Sequence, residues 1–185
     1  ISSDGARAWS IDVGRGYASV SVKGERFFTM GNTDNHDVIY CGDVATGKKI
    51  WEFSYECRAG SYPGTRATPV LDGELVYVVS RDGDLRCLRA GDGTLVWLKK
   101  PGEKLDAELP KWGHASSVVV EGDMVLVNAG TCGMAFDKTS GTLLWSGGGG
   151  TGNYATPVVY ELGNTTCAAI FSEDALCGVV AKSGK

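Results

Sequence analysis

The fold turns on the stretch "CGDVATGKKIW", Cys41 to Trp51. Gly42, four residues, and then Gly47-Lys48 nearly reproduce a phosphate-cradling loop. Such a loop ends Gly-Lys-Ser/Thr, because a hydroxyl must hold the magnesium while backbone N–H groups and the lysine hold phosphate. Here Lys49 occupies the hydroxyl's place. The flanks "DVIY" and "IWEF" are short β-branched and aromatic runs, whereas a phosphate loop opens a long helix.

The same string returns twice, which settles the choice in favour of a turn between strands. "CLRAGDGTLVW" runs from Cys87 to Trp97 and "AFDKTSGTLLW" from Ala135 to Trp145. The copies share a small residue at the first position (Cys41, Cys87, Ala135), then Gly47, Gly93 and Gly141 at the seventh, and Trp51, Trp97 and Trp145 at the eleventh. Asp43 and Asp137 agree at the third, where the middle copy has Arg89. A fourth copy, "GVVAKSGK", places Gly184 in register. The glycines are thus 46, 48 and 43 residues apart (47 to 93, 93 to 141, 141 to 184). A period of about 40–50 residues marks a repeat architecture and overrides any single local motif. The lysine of the first copy is not kept in the second or third.

Composition removes several function classes. A chain of 185 residues with a net charge of −4 and no basic stripe gives no electrostatic reason to expect nucleic acid. No apolar run approaches the roughly 20 residues of a membrane span. Glycine is abundant, 27 residues, and concentrated at turns. Of the six cysteines, Cys41 and Cys87 fill one small-residue slot of the repeat, so packing accounts for them. Cys167 and Cys177 flank the turn "SEDA" but fall out of opposition across it, so a disulfide between them is not expected. Two histidines and no Cys-x-x-Cys leave no zinc pattern. "NTDNHD" lacks the spacing and closing Glu of a calcium loop and reads as a hairpin. The glycine run Gly147 to Gly150 reads as a flexible linker.

Ahead of each motif lies a second recurring pattern. "YASVSVKGERFFTM", "RATPVLDGELVYVVS", "HASSVVVEGDMVLVN" and "YATPVVYELGNTTCAAIFS" each give an Ala, a strand, a turn and another strand. Lys23-Gly24, Asp72-Gly73 and Glu121-Gly122 are hairpin dipeptides. A third strand carries the motif and a fourth carries the tryptophan. The predicted fold is therefore all-β, a propeller of four-stranded antiparallel blades with no helical period. Approximate repeats span 17–53, 66–99, 114–146 and 154–185, in one partial propeller domain over 1–185. Residues 1–16, around Trp9, read as the outer strand of a preceding or closing blade. A lone blade cannot hide both of its apolar faces, so blades stack. A recurring Trp suits the seam between them.

The pattern small-x-Asp-x-x-Thr-Gly-x-x-x-Trp resembles the tryptophan-docking motif of the quinoprotein (pyrroloquinoline quinone, PQQ) repeat family. The family's propellers have about seven or eight blades. The resemblance covers nearly the whole chain and implies a piece of a longer propeller, with a closed four-bladed ring and self-association through exposed blade faces as alternatives. It also implies a periplasmic or otherwise exported, bacterial protein. The motif occurs in catalytic dehydrogenases and in non-catalytic relatives such as the propeller lipoproteins of outer-membrane assembly. The dehydrogenases use a bound calcium, a catalytic aspartate and often a disulfide of adjacent cysteines. This chain has no Cys-Cys pair and no assignable catalytic acid. The expectation is a non-catalytic scaffold whose rim binds a protein partner or small ligand, with no catalytic residue, metal or cofactor assignable. A quinoprotein alcohol dehydrogenase, with PQQ and calcium, is the alternative.

Register places the candidate site. Immediately before the recurring Ala stand Tyr17, Arg66, His114 and Tyr154, expected to ring the channel mouth, one from each blade. Trp112 adds a flat stacking surface beside His114. Arg66 reads as an anion contact or a tie between loops. His114 reads as a hydrogen-bonded strand-start residue, with an acid, base or ligand role as the alternative.

Overall fold

A computed structural model describes residues 8–58, 60 and 62–185; the expectation for residues 1–7 lies outside the described residues. Four antiparallel sheets follow one another along the chain. The first is β1 (Ser21–Lys23), β2 (Arg26–Thr33), β3 (His36–Asp43) and β4 (Lys49–Glu56). The second is β5 (Val70–Asp72), β6 (Leu75–Val79), β7 (Leu85–Arg89) and β8 (Leu95–Lys99). A short helix α1 (Pro101–Lys104) and β9 (Ala107–Glu108) precede the third: β10 (Val119–Glu121), β11 (Met124–Val127), β12 (Met134–Asp137) and β13 (Leu143–Ser146). Then come β14 (Gly150–Thr151) and a three-stranded sheet of β15 (Val158–Leu162), β16 (Thr165–Phe171) and β17 (Leu176–Val180). In every sheet spatial order is chain order. The first strands, β1, β5, β10 and β15, neighbour one another in sequence, which makes them the innermost.

Strand alternation feeds three apolar layers, one between each pair of consecutive sheets. Phe28, Met30, Ile39 and Cys41 of the first sheet meet Val76, Val78 and Leu88 of the second. The opposite face of the second sheet, Tyr77, Val79, Leu85 and Cys87, meets Val125, Val127, Met134 and Phe136. Leu126 and Ala135 then meet Ala168, Ile170 and Val179. The far face of the fourth sheet is uncovered: Leu176 is 69% exposed, while Leu85, its register equivalent in the second sheet, is fully buried. Val158, Tyr160, Leu162 and Phe171 are exposed as well.

The tryptophans close each seam in the same way. Trp51 Nε1 donates to the Ala90 carbonyl at 3.0 Å, Trp97 to Lys138 at 3.1 Å and Trp145 to Ala181 at 2.8 Å. Trp9 does likewise to Val44 at 2.9 Å. Each acceptor lies three residues before the turn glycine of the next repeat. The turn itself is tied by Gly93 N–H to Arg89 O and its equivalents. Gly93 sits at φ +75°, and a Cβ there would lie 2.7 Å from the Trp51 ring. Both the backbone conformation and the ring's close approach therefore require glycine. Asp43 and Asp137 hold their turns by accepting from Thr46 and Ser140. Those bonds keep both carboxyls below their usual range. Where Arg89 replaces the aspartate, Asp92 accepts from Thr94 N–H instead, at 2.9 Å.

One sequence expectation needs correction. The glycine run is not simply a linker, because Gly150 and Thr151 pair in parallel with Ala107 and Glu108 and tie the 101–113 segment to the third sheet. Sequence reasoning named no partner for Cys132: in the β11–β12 turn, it forms a disulfide with Cys177 on β17, with Cα atoms 5.7 Å apart. The bond staples the third sheet to the fourth. Cys41, Cys57, Cys87 and Cys167 are buried free thiols.

Candidate functional site at the channel rim

The segments entering the innermost strands converge on a cleft of about 620 Å³ lined by Tyr17, Tyr62, Arg66, Trp112 and Ala115. Hydrogen bonds from backbone N–H groups, one to a carbonyl and three to side-chain hydroxyls, fix its floor between repeats. Tyr17 N–H donates to Thr65 O, Ser19 N–H to Thr68 Oγ1, Thr68 N–H to Ser117 Oγ, and Ser117 N–H to Thr156 Oγ1. This ladder runs across the four innermost strands and sets their true register.

The ladder displaces one predicted site residue. Its rungs, Ser19, Thr68, Ser117 and Thr156, align Tyr17 and Arg66 with Ala115, not with His114. Counting back seven residues from the hairpin glycines Gly24, Gly73 and Gly122 gives the same answer. Aligning on alanine slipped the third repeat by one, and a one-residue slip on a strand reverses the facing of a side chain. His114 is correspondingly buried, at 3% exposure. Its Nε2 donates to the Asn128 carbonyl at 3.0 Å, so the proton sits on Nε2. Among the described residues Nδ1 has no hydrogen-bond partner of sound geometry, and the nearby Ser116 backbone contributes a small upward pull on the ring's pKa. Burial pushes the imidazole pKa down to about 4, against a smaller upward pull from the Asn128 carbonyl. His114 is a neutral structural residue, and the rim reading for it is withdrawn.

Trp112 takes the place at the rim. Gly113, at φ +81°, donates its N–H to Pro110 O, and His114 N–H then donates to Arg81 O. The turn swings the indole outward, where it stacks on Tyr154 at 5.7 Å and 29°. The Tyr154 hydroxyl accepts from Trp112 N–H at 3.3 Å. Tyr154 thus acts from behind the platform.

Arg66 is anchored by main-chain carbonyls. Its Nη2 donates to Tyr62 O at 2.9 Å and its Nη1 to Gly64 O at 3.3 Å. The guanidinium lies 5.8 Å from the Tyr17 ring centroid. Partial burial lowers its pKa, and the neighbouring Arg81 cation adds to the effect. Among the described residues no carboxylate lies within 4 Å of Arg66.

A buried polar cluster supports the loop bearing Tyr62. Asn32 Nδ2 donates to Asp37 Oδ1 at 2.8 Å and to Cys57 O at 2.9 Å, and the Tyr55 hydroxyl donates to Asp37 Oδ2 at 3.3 Å. The Arg86 guanidinium sits 3.6 Å from the Tyr55 ring centroid. Burial raises the Asp37 carboxyl, and the Asn32 hydrogen bond opposes it.

Sequence reasoning missed Tyr62 and Ala115. The hairpin-glycine count carried the signal for Ala115; Tyr62, in a loop without periodicity, carried none.

A family model described as outer membrane protein assembly factor BamB matches residues 34–185. The chain belongs to this PQQ-like propeller repeat family. Among solved structures, BamB from Moraxella catarrhalis is 16% identical over 98% of this chain and 54% of its own, with a TM-score of 0.71. Quinohemoprotein alcohol dehydrogenase from Comamonas testosteroni is 16% identical over 94% of this chain and 34% of its own, at 0.69. The computationally designed protein Ika4 is 13% identical over 93% of this chain and 99% of its own, at 0.57. At these identities the likeness is one of fold: a propeller arc, here of about four blades. The chain spans about half the length of the Moraxella protein. No curated protein sequence matches it. No helix among the described residues is long and apolar enough to cross a membrane.

Proposed function

We propose that this chain is a non-catalytic propeller scaffold of an exported compartment, whose rim cleft receives a protein partner. The observation that carries the reading is the cleft itself. Three aromatic side chains and an arginine with no carboxylate within 4 Å among the described residues line it, on a frame fixed by hydrogen bonds between repeats. Aromatic residues and arginine are the types enriched where proteins bind one another. The family description, outer membrane protein assembly factor, supports an assembly role. The Cys132–Cys177 disulfide supports an oxidising compartment such as the periplasm.

The cleft does not suit a calcium-bound quinone. Its lining offers no carboxylate, and a hard cation needs several oxygen ligands. No cluster of three His, Cys, Asp or Glu side chains among the described residues is placed to hold a metal ion. The decisive experiment adds pyrroloquinoline quinone and calcium to the protein with an alcohol and an artificial electron acceptor. No turnover is expected. Turnover that requires both additives would overturn the scaffold reading.

The far face of the fourth sheet belongs to the same reading. Its exposed apolar residues form a blade face seeking another, so the isolated 185-residue chain is expected to self-associate. Sedimentation should show concentration-dependent association that Leu176→Lys with Leu162→Lys abolishes. A monomer at all concentrations would refute this part.

A further inference from the structure

We propose that the rim cleft recognises an extended peptide segment in which a carboxylate side chain stands beside an aromatic one. The proposal rests on the protein-binding reading above and narrows it to a ligand chemistry.

Three aromatic residues from three separate segments line one cavity. Tyr17 enters from the first innermost strand, Tyr62 from the β4–β5 loop and Trp112 from the β9–β10 loop, and they are 64, 56 and 46% exposed. Two are backed by protein, Trp112 by Tyr154 and Tyr17 by the Arg66 guanidinium, while the main chain of Tyr62 is tied by its carbonyl's bond to Arg66. Rings held in place lose little freedom on binding, so a partner ring gains offset or edge contact at small entropic cost. A cavity of about 620 Å³ lies within the usual size range for ligand pockets.

Charge supplies the second half of the specificity. The chain is acidic overall, at −4, yet the cleft is locally cationic. Arg66 has two N–H groups tied to carbonyls, which aim the fork and leave the other donors available. Lys111 Nζ lies 5.7 Å from the Trp112 ring. Arg81, beside Arg66, has its charge partly balanced by Asp82 at 3.5 Å. A guanidinium among aromatic rings with no carboxylate in the lining favours an incoming carboxylate, paired bidentately. A lysine-bearing segment meets the same field with the opposite sign.

The test uses the full chain and fluorescein-labelled pentapeptides read by anisotropy: Gly-Glu-Phe-Glu-Gly, its Lys-for-Glu counterpart and its Ala-for-Phe counterpart. The first should bind at least about tenfold more tightly than either of the others. Arg66→Gln should weaken it roughly tenfold and Trp112→Ser by at least as much, with the unfolding midpoint of each variant checked by circular dichroism. Raising salt from about 50 to about 500 mM should weaken it severalfold. The proposal is overturned if the lysine peptide binds as well, or if Arg66→Gln changes nothing. It is also overturned if the acidic peptide fails to bind at about 1 mM, a concentration at which even weak complexes register. Binding of a neutral oligosaccharide in place of the peptides would reassign the cleft to sugar. Reassignment to sugar would also overturn the protein-partner reading of the cleft, whereas the other failures remove only this ligand chemistry; the non-catalytic reading is tested separately by the quinone assay.

Discussion

Acidification should destabilise this protein through His114 before its carboxylates are titrated. The imidazole is buried and neutral, donating from Nε2 to Asn128 O, and burial holds its pKa near 4. In the unfolded chain the same group titrates near 6.5. Between those values the unfolded state binds the proton and the folded state does not, so stability rises with pH across this window and is lost as pH falls through it. A gap of about 2.5 pKa units corresponds to about 3 kcal/mol, fully lost near pH 4. The assay is urea unfolding at intervals from pH 7 to pH 4, for the wild type and for His114→Gln, which keeps an amide donor for Asn128. The carboxylates contribute equally to both, so the difference between the two curves isolates His114. The wild type should lose about 3 kcal/mol more than the variant over this range. NMR should find the His114 ring still neutral at pH 5. Parallel curves, or a folded-state titration near 6.5, would show that the ring reaches solvent and would restore it to the rim.

Two further outcomes test the frame. Trp97→Ala should cost about 3–5 kcal/mol in urea unfolding. Trp97→Phe, which keeps the contact with Tyr77 but loses the bond to Lys138 O, should cost about 1 kcal/mol; no loss at all would show that the indole N–H contributes nothing. Reduction of Cys132–Cys177, which links residues 45 apart, should remove about 2–4 kcal/mol. Cys132→Ser should make the thermal midpoint insensitive to reductant, and a wild-type midpoint already insensitive would argue against the bond.

The repeat was legible in the sequence because its period is enforced at every seam. Gly47, Gly93, Gly141 and Gly184 each accept a positive φ under an indole, and no other residue satisfies both demands. The hairpin dipeptides and strand alternation were equally readable, since hairpin closure and facing are local properties. Tyr17, Arg66 and Trp112 were named from sequence, and the structure brings them to one cleft. What sequence left open was register and pairing across the seams. The recurring alanine was a poor anchor for the third repeat, because Ala115 occupies the rim position that Tyr17 and Arg66 hold in the first two. The hydrogen bonds from Thr68 to Ser117 and from Ser117 to Thr156 fix the facing of that strand, and they form only between stacked sheets. The same holds for Cys132 and Cys177. The turn that carries one and the strand that carries the other approach only when the third sheet packs on the fourth, and packing between sheets leaves no period in the chain to read.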